Sequence, residues 1–149
     1  MPDIGDGTDF FEYGLVCGHT DEVIVNTEYG SVPLLIQDYD VNMTGKAKLF
    51  FLNRHHSADS ESTPPHIINH RANISAVASC NPDIVLSICS VGAVNPDFPP
   101  GMVGLAKQYV DFTGIVNTFF DDDAVHTSVT NPFDVELNIK LLKILKSNQ

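Results

Sequence analysis

The 149-residue sequence predicts an α/β fold, a single domain in which a mixed, twisted sheet is flanked by helices. Apolar runs with the composition of β-strands dominate the first third of the chain, and strand and helix patterns alternate after it. With 43% hydrophobic and 18% charged residues, the chain can build one core but not comfortably two. We therefore expect one domain over residues 1–149.

The first third is predicted to be a meander of strands. Segments rich in Gly, Asp, Asn and Thr separate short runs of β-branched and other apolar residues, which is typical of strands joined by turns. The runs are Tyr13–Cys17, Val23–Asn26, Val32–Gln37 and Leu49–Leu52.

A polar, proline-broken loop follows, and His66–Ser79 is predicted to be a helix after it. Pro64 and Pro65 suit the first turn of a helix, and the Asn-Pro-Asp that begins at Asn81 would end it. Next, Asp83–Ser90 is a continuous apolar run, typical of a strand buried on both faces of an α/β sheet. A turn-rich connection then leads to a further strand near Met102–Val110.

The chain finishes with a predicted amphipathic helix that Asp134 caps. One face carries Leu137, Leu141, Ile144 and Leu145, and lysines near the end suit the helix dipole. Only two good helices are predicted, whereas a doubly wound sheet needs helices on both faces. We therefore expect a chain that is truncated at its C-terminus or that completes its core by association.

Charge and cysteine content exclude several classes of function. Nineteen acidic and eight basic residues give a net charge of −11, which disfavours binding to nucleic acid and anionic membranes. No long apolar run or secretory leader is seen, and the odd set Cys17, Cys80 and Cys89 has no C-x-x-C spacing. A soluble, cytoplasmic protein is expected, in which only Arg54 and Arg71 supply guanidinium groups for an anionic substrate.

Two segments could bind an anion. In the opening turn, Gly5 and Gly7 allow tight backbone geometry and Thr8 offers a hydroxyl and a backbone N–H, although most such segments are ordinary surface turns. Arg54 and His55 directly follow a predicted strand, at the end where ligands bind in open α/β sheets. A guanidinium suits phosphate oxygens, but a solvated arginine paired with a carboxylate is the more common arrangement.

Two further segments give weaker evidence for a metal site or for an anion or ribose site. His66 and His70 lie four residues apart and would share a helix face, a spacing that can bind zinc, but the H-E-x-x-H motif is absent. A metal-dependent hydrolase built on these residues with His55 and His56 therefore ranks last, and no metal is expected. Where the Asp83–Ser90 strand ends, a small-residue turn could cradle an anion or ribose, and Cys89 is expected to be a buried apolar residue rather than a nucleophile.

Taken together, these pieces resemble a known family in order and spacing. The sequence contains R-H, then P-P-H-x-x-N-x-R-A-N-I, a strand ending S-V-G, P-P-G, D-x-T, T-F-F-D, and a His followed by P-F. This order is similar to the N-terminal portion of the methylthioadenosine and purine nucleoside phosphorylase family of the trimeric type. The resemblance runs from about Ile4 to Leu145 and is most specific between Arg54 and Gly101.

The resemblance implies a set of binding residues. Phosphate would be bound by Thr8, Arg54, His55, Cys89 and Ser90, and His126 would reach the sugar of a neighbouring subunit's substrate. The resemblance thereby implies a homo-oligomer, a trimer as in that family. Asn73 would support the site from behind or serve the fold. This sequence departs from the family pattern at three places, which are Asp6 and Asp9 in the glycine-rich turn and Phe112 in the D-R-T motif.

The resemblance also implies a reaction, the phosphorolysis of 5′-methylthioadenosine to adenine and a ribose 1-phosphate, with inorganic phosphate as co-substrate and no cofactor. In the family an aspartate on a later segment protonates the departing purine, and neither it nor the Met-containing strand before it is found here. The catalytic residue and the preferred purine therefore stay unassigned. The alternative is a non-catalytic nucleoside- or phosphate-binding homologue that has lost the base-binding half.

Overall fold

The structure is a computed structural model that describes residues 20–41, 45–56, 62–115 and 118–147. Contacts within the chain divide it into two compact units, Met1–Ser90 and Val91–Gln149. The first unit contains a sheet and a packed helix, and the second contains the terminal helix. None of the helices that the described residues form is long and apolar enough to cross a membrane.

Three antiparallel strands form the sheet of the first unit, in the order β1-β2-β3. Strand β1 spans Asp21–Thr27, β2 spans Gly30–Val41 and β3 spans Gly45–Phe51. The predicted strands in this part of the sequence are confirmed, with Leu52 lying just after β3. The predicted strand Tyr13–Cys17 lies outside the described residues.

A two-residue turn joins β1 to β2 and pairs Thr27 with Gly30. The Thr27 hydroxyl donates to the Gly30 carbonyl at 2.7 Å and accepts from the Tyr29 backbone N–H at 3.1 Å. Pro33 lies in the part of β2 that pairs with β1 alone, because pairing with β3 begins at Leu35. Proline has no backbone N–H, and at Pro33 the edge of β2 that faces away from β1 has no described strand that would need one.

The core of this unit lies between β2 and helix α1, which spans His70–Ser79 and packs against β1 and β2. Alternation along β2 places Val32 and Leu34 on one face, where both are fully or almost fully buried. Ala72 and Ala76 lie four apart on the helix and meet them. The small alanine side chains at these two positions let the helix approach the sheet closely.

The predicted helix His66–Ser79 is divided in two. Pro65–Ile67 forms a 3₁₀ turn, and Ile68 and Asn69 leave helical geometry before α1 begins. Asn69 is the N-cap, since its side chain accepts the Ala72 backbone N–H at 3.0 Å, and N-cap residues have non-helical backbone angles. The predicted end at Asn81 is confirmed, because this residue adopts a positive φ of 47° just after the helix.

In the second unit, the terminal helix α2 spans Val135–Ser147 as predicted. Asp134 Oδ1 accepts the Leu137 backbone N–H at 2.7 Å, which confirms the predicted cap. Asn138 on this helix donates to the Ala106 carbonyl at 3.0 Å. Tyr109 and Phe133 meet edge to face, with ring centroids 6.4 Å apart.

Two predicted strands are not formed. Asp83–Ser90 and Met102–Val110 have no regular secondary structure, and most of their residues are exposed. A strand buried on both faces exists only when neighbouring strands pair with it and helices cover it, and the described part of the chain supplies neither for these segments. The expected mixed sheet is accordingly wrong for the described residues, where each strand pair is antiparallel.

Candidate functional site

The segment directly after β3 folds into a tight turn at Asn53–His56. The backbone N–H of His56 donates to the Asn53 carbonyl at 3.1 Å, and the N–H of His55 donates to Asn53 Oδ1 at 3.0 Å. An asparagine side chain that bonds the backbone two residues later is a common turn-forming device. Asn53 therefore shapes this turn, residues 53–56, which presents Arg54 and His55 and is called the Arg54 turn.

The backbone of this turn is anchored at three consecutive carbonyl groups. Asn73 Nδ2, from helix α1, donates to the Arg54 carbonyl at 3.3 Å. Thr63 donates its backbone N–H to the His55 carbonyl at 2.8 Å and its hydroxyl to the His56 carbonyl at 2.7 Å. The carbonyl groups are thus used in internal bonds, while the Arg54 side chain is exposed.

Hydrogen bonds also define which ring nitrogens of the two histidines carry hydrogen. His55 Nδ1 lies 2.9 Å from the Thr63 carbonyl, which can only accept, so Nδ1 is the donor and Nε2 of the neutral ring is free to accept. His56 Nε2 lies 2.9 Å from Asn73 Oδ1. Because the amide nitrogen of Asn73 faces the Arg54 carbonyl, this bond assigns the hydrogen to Nε2 of His56.

Such a turn can bind an oxyanion. The exposed Arg54 guanidinium provides a fork of N–H donors that matches two oxygens of a phosphate. The chain's other arginine is used in packing, since Arg71 lies over the ring of Tyr29 at 5.7 Å from its centroid. In a chain with a net charge of −11, Arg54 is the described guanidinium best suited to an anionic ligand.

The other predicted binding residues lie elsewhere. Thr8 is outside the described residues. Cys89 and Ser90 lie in the irregular segment that ends the first unit, and the described residues include no hydrogen bond from them to the Arg54 turn. The expectation that Cys89 is buried is wrong, because its segment has no covering layer and the thiol is exposed. His126 is exposed in the second unit.

The spacing of His66 and His70, which could bind zinc on a continuous helix, is interrupted in the structure. His66 lies in the 3₁₀ turn and His70 opens α1, so the non-helical residues Ile68 and Asn69 separate them and they do not share a face of one helix. Within the described ranges, no group of three or more potential metal ligands occurs.

Two residues that hold the turn, Asn53 and Thr63, were not predicted from the sequence. Asn53 carries a recognisable signal, because an Asn immediately after a strand often starts a turn of this kind. Thr63 carries no such sequence signal, because its contacts with His55 and His56 depend on how the loop folds back to the end of β3.

Comparison with known proteins identifies the family. A family model described as the Phosphorylase superfamily matches residues 16–149. The chain belongs to this superfamily. The matched range of this phosphorylase-superfamily chain includes Arg54, His55, Cys89, Ser90 and His126 and begins after Thr8. No solved structure matches the chain significantly.

Curated relatives of this superfamily chain have related but different names. A probable S-methyl-5′-thioinosine phosphorylase of Methanopyrus kandleri is 36% identical over 80% of this chain and 44% of its own length. The 6-oxopurine nucleoside phosphorylase of Pyrococcus furiosus is 32% identical over 81% of this chain and 46% of its own. The S-methyl-5′-thioadenosine phosphorylase of Nitrosopumilus maritimus is 31% identical over 95% of this chain and 52% of its own. The phosphorylase-superfamily chain thus spans about half the length of the curated relatives it matches.

Proposed function

We propose that this protein is a subunit of a purine nucleoside phosphorylase and that the Arg54 turn binds its phosphate. The observation that carries the proposal is the turn itself, in which Asn53, Thr63 and Asn73 hold the backbone so that an exposed guanidinium and a neighbouring imidazole are presented together. Because these hydrogen bonds form before phosphate binds, the turn loses less conformational entropy on binding.

In the proposed reaction, a phosphate oxygen attacks the anomeric carbon of the nucleoside while the bond from that carbon to the purine nitrogen breaks. The electron pair of that bond leaves with the purine, which takes up one proton while the phosphate loses one, and the products are the free base and a ribose 1-phosphate. Arg54 would orient phosphate and offset its charge as an oxocarbenium-like transition state develops. His55 would accept a phosphate hydroxyl hydrogen at Nε2, because its Nδ1 hydrogen is committed to Thr63.

The proposed substrate is 5′-methylthioadenosine. The names of the three relatives agree on phosphorolysis of purine nucleosides and differ in the base and in the 5′ substituent. The methylthioadenosine relative matches over the largest share of this chain, and the sequence pieces quoted above point to the same group. A non-catalytic binding protein is not favoured, because these relatives are named as phosphorylases.

Further residues and the assembly belong to the same proposal. Thr8, Cys89 and Ser90 would complete the phosphate site, and His126 would contact the sugar of a substrate bound to a neighbouring subunit. The protein would then act as a homo-oligomer, with a trimer as the form to test, in the cytoplasm and without a cofactor.

The direct test is phosphate-dependent release of adenine from 5′-methylthioadenosine by the purified protein. Inosine and S-methyl-5′-thioinosine, tested in parallel, separate the base from the 5′ substituent. Release that requires phosphate supports the proposal. Absence of release from all three nucleosides, with phosphate still stabilising the protein, would favour the binding protein instead.

The phosphate site is tested separately by thermal unfolding in a phosphate series. Arg54→Ala should raise the half-stabilising phosphate concentration by more than about tenfold, because a charge-assisted hydrogen bond contributes roughly 1.5–3 kcal/mol. Lys46→Ala is the matched control, since it removes one positive charge from an exposed residue of β3. Equal responses of the two variants would contradict the assignment of phosphate to Arg54.

A further inference from the structure

Asn73 makes two hydrogen bonds to the Arg54 turn with the two ends of one amide group. Its Nδ2 donates to the Arg54 carbonyl at 3.3 Å, and its Oδ1 accepts from His56 Nε2 at 2.9 Å. The residue is 4% exposed, so little water can replace either bond if it is lost. Asn73 thus joins helix α1 to the residue before and the residue after His55.

The position of Asn73 in the helix is itself well determined. It lies next to Ala72 in the core, one turn after the N-cap, and its backbone N–H donates to the Asn69 carbonyl at 3.1 Å. The side chain therefore extends from a fixed point of the fold rather than from a loop. Groups held on regular elements place a site more accurately than groups held on loops.

We propose that Asn73 is a positioning residue for the phosphate-binding turn, setting the direction in which Arg54 and His55 face the ligand. This inference rests on the proposed function. Both ends of the Asn73 amide are used in bonds to the turn, so Asn73 would act through the Arg54 carbonyl and the His56 ring rather than on phosphate directly. Its loss would leave Arg54 and His55 in the protein but less well aligned, which weakens phosphate binding without removing a ligand group.

Four substitutions, two at Asn73 and two at His56, distinguish the contributions of the two bonds. Asn73→Asp keeps an acceptor for His56 Nε2 but places an oxygen against the Arg54 carbonyl, where a donor is needed. Asn73→Leu removes both bonds at similar volume and adds no charge. His56→Ala removes one bond from the other side, and His56→Gln restores an amide donor for Asn73 Oδ1.

The experiment measures the half-stabilising phosphate concentration by thermal unfolding. Asn73→Asp and Asn73→Leu should raise it by about five- to tenfold, which is the loss expected when one or two hydrogen bonds no longer align the turn. His56→Ala should raise it less, and His56→Gln should restore most of the difference. Ala76→Gly is the control for general destabilisation, because this buried residue of α1 belongs to the core cluster. It should lower the melting temperature and leave the phosphate concentration unchanged.

A second readout needs no phosphate. In wild-type protein, nitrogen NMR of the His56 ring should show hydrogen on Nε2, and in Asn73→Leu it should show a mixture of the two neutral forms. Variants at Asn73 that lower the melting temperature but leave the phosphate response unchanged would overturn the inference. So would a His56 ring that keeps its hydrogen on Nε2 in Asn73→Leu as it does in wild-type protein. Failure of wild-type protein to respond to phosphate, with the Nε2 form intact, would count against the proposed function alone.

Discussion

The guanidinium of Arg71 lies over the ring of Tyr29, with its central carbon 5.7 Å from the ring centroid. This contact joins the first turn of helix α1 to the turn between β1 and β2. It gives the chain's two arginines different tasks, because Arg71 supports packing while Arg54 is exposed after β3.

Arg71→Ala should therefore affect stability and not phosphate binding. We expect a loss of about 0.5–1 kcal/mol in the free energy of unfolding, the usual range for a cation–π contact near the surface. Urea unfolding measures the loss, and the phosphate series described above measures binding. A phosphate response as weak as that of Arg54→Ala would contradict this division of tasks.

Asn69 offers a second test of the same region. Its side chain caps α1 at Ala72 and also donates to the Tyr29 carbonyl at 2.7 Å. Asn69→Ala should lower the free energy of unfolding by about 1–2 kcal/mol, since it removes a cap and a hydrogen bond. Asn69→Ser keeps a cap acceptor and loses the donor to Tyr29, so urea unfolding should give an intermediate loss. An Asn69→Ser variant less stable than Asn69→Ala would contradict this account.

Gly30 and Gly45 begin β2 and β3 with φ values of +136° and +130°. A side chain rarely adopts this backbone conformation, so alanine at either position should lower the free energy of unfolding by more than about 1 kcal/mol. At Gly30 an added Cβ would meet Asn69 Nδ2 at 3.5 Å, and at Gly45 it would meet nothing within 4 Å. Similar losses in thermal unfolding would show that backbone conformation dominates, and a loss at Gly30 alone would contradict this account, because a Cβ at 3.5 Å makes only an ordinary van der Waals contact.

In the second unit, the pKa of the Asp111 carboxyl is lowered by hydrogen bonds from the hydroxyl and the backbone N–H of Thr113, both 2.7 Å from Oδ1. These bonds favour the charged form, so they should persist above the usual pKa of aspartate and weaken only as pH falls through the lowered value. Carbon NMR of the carboxyl should show a midpoint below the usual value in wild-type protein. Thr113→Val removes the hydroxyl and should move that midpoint upward, and an unchanged midpoint would contradict the assignment.

The sequence predicted correctly those elements that depend on nearby residues of the chain. The cap at Asp134 and the helix end at Asn81 depend on neighbours a few residues away, and each strand of the antiparallel sheet pairs with the next strand along the chain. The helix start was predicted too early, because the two prolines suit a 3₁₀ turn as well as an α-helix. The strand at Asp83–Ser90 failed for a different reason, since an apolar run becomes a buried strand only when distant segments pair with it.

The same distinction applies to the candidate site. By itself, the sequence determined the superfamily, the strand before Arg54 and the presence of only two arginines in an acidic chain. Only the tertiary structure decided that Asn73 and Thr63 hold the turn and that Arg71 packs on Tyr29. These bonds join residues that are brought together when α1 packs on the sheet, and their geometry depends on that packing rather than on spacing along the chain.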